Sequence, residues 1–153
     1  MEVKPWVFKG SHFTVLPNAE EYYAFVYEIR NVETGKKYIG KKLLWFKSKK
    51  KVLLKNGKKK AKKILVESDW RDYFGSSQEF LKEVESTGKD KYVREILHLC
   101  KTKAEASYLE AHEQFKHNVL LDDNFANGWI MVRVRKEHLK KVRENILASV
   151  LST

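Results

Sequence analysis

The most regular alternation of apolar and polar positions lies at Tyr22 to Arg30 (YYAFVYEIR). Period two sets Tyr23, Phe25, Tyr27 and Ile29 on one face and Ala24, Val26, Glu28 and Arg30 on the other, which predicts a strand. The turn-rich stretch Asn31-Val32-Glu33-Thr34-Gly35 leads to Lys37-Tyr38-Ile39-Gly40, a second short strand that completes a hairpin. Further on, Val52-Leu53-Leu54 and Ile64-Leu65-Val66 flank Asn56-Gly57, a dipeptide suited to a type I′ turn with both central residues at positive φ, so a second hairpin is expected. From Ser76 the period becomes helical: Phe80, Leu81 and Val84 define about three turns that Gly88 ends. Tyr92 to Cys100 reads as a strand. Thr102-Lys103-Ala104-Glu105 has the pattern of a capping box and predicts a helix from near Lys103. At 100° per residue Ala104, Tyr108, Ala111 and Phe115 fall within about 60° and form the expected buried stripe, with Glu110 and Glu113 off it. Asn118 to Ile130 reads as an irregular loop, and a last helix from about Lys136 buries Leu139, Val142, Ile146 and Val150.

A chain of 153 residues suits one domain, here a core at 22–130, a hairpin insert at 41–66 and a C-terminal helix at 136–151. With 42% apolar and 33% charged residues, 7 Gly and 2 Pro, it is neither disordered nor collagenous. No stretch approaches the roughly 18 apolar residues of a membrane span and the N-terminus lacks the apolar run of a signal peptide, so a cytoplasmic protein is expected. The single cysteine, Cys100, excludes an intrachain disulfide and reads as a core residue.

Charge changes the picture more than composition does. The 31 basic and 20 acidic residues leave +11, and the segment from Lys41 to Val66 holds 12 lysines and no acid, so the rest of the chain sums to −1. Such a segment calls for an anionic partner, and nucleic acid is the leading candidate. Lys47, Lys49, Lys50, Lys51, Lys55, Lys58, Lys59, Lys60, Lys62 and Lys63 are the candidate contacts; the alternative is a solvated lysine face. If about 6 of them met duplex phosphates, log K would fall with log salt at a slope near −5.

His112 and His117 are five residues apart and lie about 140° apart on a helix, which fails the spacing of a zinc-protease helix. A hard cation asks less, one or two carboxylates with water and phosphate oxygens, and Glu110 is a candidate ligand with Glu113 as the fallback.

Phe25-Val26-Tyr27 and Tyr38-Ile39-Gly40, with tyrosines 11 apart, resemble the paired sequences that name the GIY-YIG endonuclease family. Phe25 and Val26 stand where the family usually has Gly and Ile. The resemblance continues through 68–77 (SDWRDYFGSS), Gly88-Lys89-Asp90, Arg94-Glu95-Ile96-Leu97, Tyr108-Leu109-Glu110, Asn118-Val119-Leu120 and Asn127, in the manner of free-standing, Seg-like nucleases of tailed phages, some of them homing endonucleases.

The resemblance implies a small α/β (α+β) fold: a central three-stranded antiparallel sheet flanked by helices, carrying the lysine-rich β-hairpin as an insert. It also implies hydrolysis of double-stranded DNA with one divalent metal, Mg²⁺ or Mn²⁺, in homing or in cleavage of host or competitor DNA. Tyr27 matches the tyrosine that activates or orients the attacking water, Tyr38 the second tyrosine, Glu110 the metal-holding glutamate and Asn127 the supporting asparagine. The arginine that many members carry about ten residues past the second motif is missing, and Arg71, Lys41 and Lys42 are left as candidates for its role. A phenol near pKa 10 costs about 4 kcal/mol as a base at pH 7 unless metal or lysines lower its pKa. A noncatalytic nucleic-acid-binding module on the same scaffold is the alternative, and homodimerisation stays open.

Overall fold

The computed structural model describes residues 3–151. The alternation of Tyr22 to Arg30 forms β3 (Ala24–Asn31), which follows the first two strands β1 (Trp6–Phe8) and β2 (Ser11–Phe13) and precedes β4 (Lys37–Leu43). Then come β5 (Trp45–Leu53), β6 (Lys59–Glu67), α1 (Gln78–Thr87), β7 (Tyr92–Cys100), α2 (Lys103–Lys116), and α3 (Lys136–Leu139) and α4 (Arg143–Leu151) joined by a 3-10 turn. The antiparallel core β7-β3-β4 is extended by β1, parallel to β7, and by β2, so the sheet has five strands in the order β2-β1-β7-β3-β4. The N-terminal strands lie outside the core expected at 22–130. They turn through Lys9 (φ 48) and Gly10 (φ 81), which join Phe8 to Ser11. Both central φ values are positive, as a type I′ turn requires.

The two faces of the sheet bury separate clusters. Phe25, Tyr27 and Ile29 pack with Trp6, Trp70, Phe74, Phe80 and Val84 beneath α1, while Ala24, Val26 and Ile39 pack with Leu109, Val119, Val142 and Ile146 beneath α2 and the C-terminal helices. Tyr23, just before β3, joins the second cluster rather than the face of Phe25. Each fully buried side chain of this size contributes roughly 1.5–3 kcal/mol. No described helix is long and apolar enough to cross a membrane.

The α2 stripe is corrected. Of the expected stripe Ala111 is buried, but Tyr108 and Phe115 are exposed, and the inward face also carries Glu105, Ala106, Leu109, Glu113 and Gln114. Buried polar groups need partners, and Glu105, Glu113 and the Gln114 amide nitrogen have them. Glu105 accepts from the Lys101 amide (2.6 Å) and from Asn145, Glu113 pairs with His98 (2.8 Å), and Gln114 Nε2 donates to the Ile39 carbonyl (3.0 Å). Glu113 is therefore withdrawn as a fallback metal ligand: His98 and His117 engage its two oxygens, and His98 holds its carboxyl below the usual range despite burial.

The basic hairpin forms, with a different turn. Gly57 alone has positive φ (80°); the Leu54 amide donates to Lys58 O and the Gly57 amide to Leu54 O, the pattern of a type I turn followed by a bulge. Ser68 Oγ donates to Leu43 O (2.6 Å) and the Ser68 amide to Leu44 O (2.9 Å), stapling the base of the hairpin to the sheet. Beyond that base, Phe46 to Glu67 are exposed except for half-buried Ile64. Lys49 faces Lys63 and Lys50 faces Lys62 directly across the strands.

Candidate active site

Tyr27 and Tyr38 come to one face of the β3-β4 hairpin because Tyr27 is registered with Gly40, two residues beyond Tyr38. A Cβ on residue 40 would stand 2.7 Å from Tyr27 Cζ, with the hydroxyl oxygen nearer still, so only glycine lets the phenol lie over this strand. Gly75 (φ 102) closes the pocket from the other side, its Cβ position 3.5 Å from the same hydroxyl. A bulge between Val26 and Tyr27 in the pairing with β7 falls at this point. The Tyr27 ring lies 6.3 Å from that of Tyr38 and 5.9 Å, edge-on, from that of Tyr73; Tyr38 in turn stacks on Phe80.

β4 is an edge strand of the sheet, and its free edge is closed by side chains and loop. Asn127 accepts from the Ile39 amide (3.1 Å) and donates to the Ile39 carbonyl (2.8 Å), so its carboxamide substitutes for a strand residue. The Ala126 amide donates to Lys37 O (2.7 Å) beside it. Along this edge runs a cleft of about 580 Å³ lined by Tyr38, Lys41, Ser76, Ser77, Glu110, Gln114, Asn127 and Trp129, among others. Lys41, on the opposite face of β4 from Tyr38, turns onto α2, where its Nζ donates to Ser107 Oγ (2.9 Å) and lies 3.6 Å from Glu110 Oε1. Ser77 caps α1, accepting from the Phe80 amide, so the positive end of that helix also borders the cleft.

Burial raises the Glu110 carboxyl above the usual carboxylate range, and Lys41 offsets part of the rise. Tyr27 is 1% exposed and its hydroxyl is pushed well above the phenol's usual value, by burial first and then by Tyr73 and Tyr38. Lowering by nearby lysines, one of the conditions under which this phenol could serve as a base, is not met at Tyr27. Lys42 lies over the Tyr73 ring at 4.0 Å and pairs with Asp69 at 2.5 Å, so its charge is committed there. Tyr38 is raised less, again by burial, with a hydrogen bond to Ser76 acting the other way.

The cleft thus brings together Tyr38, Lys41, Glu110 and Asn127, with Tyr27 buried behind Tyr38. Arg71 is directed elsewhere: its Nε donates to Glu67 (2.9 Å), NH1 reaches Thr14 O, and the guanidinium lies over Trp70. Tyr73, Gly75, Ser76, Ser107, Gln114 and Trp129 have no role in the sequence reading, although Gly75-Ser76-Ser77 ahead of a helix carries a cap signal. Arg94 is a second omission. Fully buried between Trp6 and Phe74, it donates to the carbonyls of Arg71, Tyr73 and Lys4 and so ties the Tyr73 loop to β7; burial lowers its pKa to about 10.

Residues 6–130 match the family described as "Putative endonuclease segE, GIY-YIG domain". The chain belongs to the GIY-YIG endonuclease family. No curated protein and no solved structure matches it. The GIY-YIG match begins at Trp6 and so takes in β1 and β2.

Among the described residues no three His, Cys, Asp or Glu side chains cluster as a metal cage. The cleft nevertheless fits a hard cation of the kind that keeps most of its water. Among the described residues the one cation paired with the Glu110 carboxylate is Lys41, 3.6 Å away, and one helical turn on, the buried Gln114 Oε1 has no hydrogen-bond partner among them.

Proposed function

We propose that this chain is a divalent-metal-dependent endonuclease of double-stranded DNA. The observation that carries the reading is the meeting of Tyr38, Lys41 and Glu110 in one cleft at the β4 edge of a GIY-YIG domain. Glu110 would hold the cation, Mg²⁺ or Mn²⁺, which when bound polarises a phosphoryl oxygen and stabilises the charge that develops in the transition state. Lys41 takes the phosphate-stabilising role left open by the missing arginine, because its ammonium reaches the cleft while Arg71 and Lys42 are paired elsewhere. Tyr38 orients the attacking water through its hydroxyl. Tyr27, buried and held protonated, acts by fixing Tyr38 rather than by taking a proton from the water. Asn127 keeps the strand under Tyr38 and Lys41 in register.

The hairpin lysines from Lys47 to Lys63 contact flanking phosphates, which position the duplex without reading its bases. Directly opposed lysine pairs destabilise an isolated ribbon, and a polyanion relieves them. Homing and the destruction of competing DNA draw on the same chemistry.

The test is incubation of supercoiled plasmid with the protein and about 5–10 mM Mg²⁺, beside EDTA and Glu110→Ala controls. Nicking or linearisation that both controls abolish is the expected result. Salt-sensitive binding without cleavage under Mg²⁺ or Mn²⁺ would instead make the chain a binding module.

A further inference from the structure

Of the four tryptophans, three are structural. Trp6 and Trp70 are buried in the first cluster, and the Trp45 ring nitrogen donates to Pro17 O (3.1 Å) at the base of the hairpin. Trp129 differs: it is 74% exposed, makes no hydrogen bond or ring contact among the described residues, and stands in the wall of the cleft that holds Lys41 and Glu110.

The backbone that carries it is pinned on both sides. Ala126 and Asn127 are hydrogen-bonded to Lys37 and Ile39, and Ile130 packs into the second cluster. With Ile130 turned to the core, the flanking Trp129 and Met131 (73% exposed) are turned outward, and both line the cleft. A large ring kept in water on an anchored backbone is a preorganised contact, because little further ordering is needed when a partner arrives. The same cleft is lined by Lys41, whose ammonium reaches it, and is bordered by the positive end of α1. An occupant that satisfies all of these features is anionic in one part and a flat apolar ring in another, which is the chemistry of a nucleotide.

We propose that Trp129 stacks on the base of the nucleotide adjoining the phosphate bound in the cleft, a base taken out of the duplex stack, with Met131 extending the apolar surface. This rests on the nuclease reading above. It makes Trp129 a substrate-binding residue that sets which nucleotide step enters the site, since steps that unstack easily are admitted at lower cost.

The experiment measures anisotropy and tryptophan fluorescence during titration with a 20-bp duplex in EDTA, for wild type, Trp129→Phe and Trp129→Ala. Circular dichroism checks that the variants fold, and plasmid cleavage is followed in parallel. Loss of base stacking weakens binding by about tenfold or more on alanine substitution, whereas phenylalanine retains affinity to within about threefold. The wild-type fluorescence is quenched by DNA and the quench disappears in Trp129→Phe, where the ring remains but the fluorophore does not. An abasic sugar scanned along the duplex abolishes the quench at one position.

Unchanged affinity of Trp129→Ala, or a quench that persists in Trp129→Phe, overturns the stacking and leaves the nuclease reading intact if the plasmid is still cut. A wild-type dimer that becomes monomeric on Trp129→Ala, with DNA affinity unaltered, assigns the patch to self-association and also overturns it. Absence of both duplex binding and cleavage in the wild type overturns the nuclease reading together with this one.

Discussion

Gly40→Ala isolates the contact on which the tyrosine pair depends. Gly40 has no positive φ, so alanine brings no backbone strain and the effect is steric. The added Cβ would lie 2.7 Å from Tyr27 Cζ and 3.1 Å from Tyr38 Cε1, against about 3.5–4.0 Å for relaxed carbon contacts. Relief requires the Tyr27 ring to move by roughly 0.8 Å or more. It has little room: Trp6 lies 5.3 Å away, Tyr73 5.9 Å and Phe25 6.0 Å between ring centroids. Overpacking of this kind costs about 1–3 kcal/mol, and an enclosed ring belongs in the upper part of that range, so about 2–3 kcal/mol is expected. For a chain of this length that lowers Tm by about 4–12 °C. Displacing the hydroxyl and the ring beside it should cost cleavage about 100-fold. Urea unfolding of Gly40→Ala, Tyr27→Leu and the double variant measures the coupling directly. Leucine removes Cζ and Oη, so alanine at 40 should cost less than about 1 kcal/mol in that background. An equal cost in both backgrounds, or a Gly40→Ala protein within about 0.5 kcal/mol of wild type, would refute the steric argument.

Four further outcomes follow from the site and the hairpin. Glu110→Gln should abolish metal-dependent cleavage while leaving EDTA-resistant DNA binding and Tm undiminished, because a carboxyl whose folded pKa is raised by burial destabilises the fold at pH values above it. For the same reason the metal-free wild type should gain stability relative to Glu110→Gln on acidification, as Glu110 takes up its proton and its burial cost is lost; urea unfolding in EDTA across pH checks it. Replacing Lys49, Lys50, Lys62 and Lys63 by Gln should flatten the log–log salt dependence of duplex binding by about 0.9 for each phosphate no longer neutralised, measured by anisotropy, without lowering Tm since two opposed lysine pairs disappear. Asn127→Ala leaves the Ile39 amide unpaired and should cost about 1–2 kcal/mol in urea unfolding, with kcat falling while duplex affinity in EDTA holds.

What was legible in the sequence follows from where each interaction sits along the chain. β3 is readable because every second residue goes to one of two buried layers, and α1 because Ser77 and Gly88 mark its ends. β1 and β2 are three residues each, too short to show a period, and they are strands because Val7 and Phe8 pair with Glu95 and Ile96 of β7. Their turn uses Lys9 at positive φ, whereas the stronger dipeptide Asn56-Gly57 sits in a bulged turn, so dipeptide preference alone misassigns both.

The inverted face of α2 has the deeper cause. The expected stripe leaves out Glu105, Glu113 and Gln114 because their partners Asn145, His98 and Ile39 lie 40, 15 and 75 positions away. Those same bonds explain the site. Gln114 on Ile39 and Ser107 on Lys41 lock α2 to β4 at two points a little under two turns apart, and Glu110 lies between them. A helix held by apolar contacts alone can slide by a side chain at small cost, while one held by paired buried groups cannot shift without leaving a donor or acceptor unsatisfied. The polar residues that hide the buried side of α2 in the sequence are thus what set the Glu110 carboxylate against Tyr38 and Lys41.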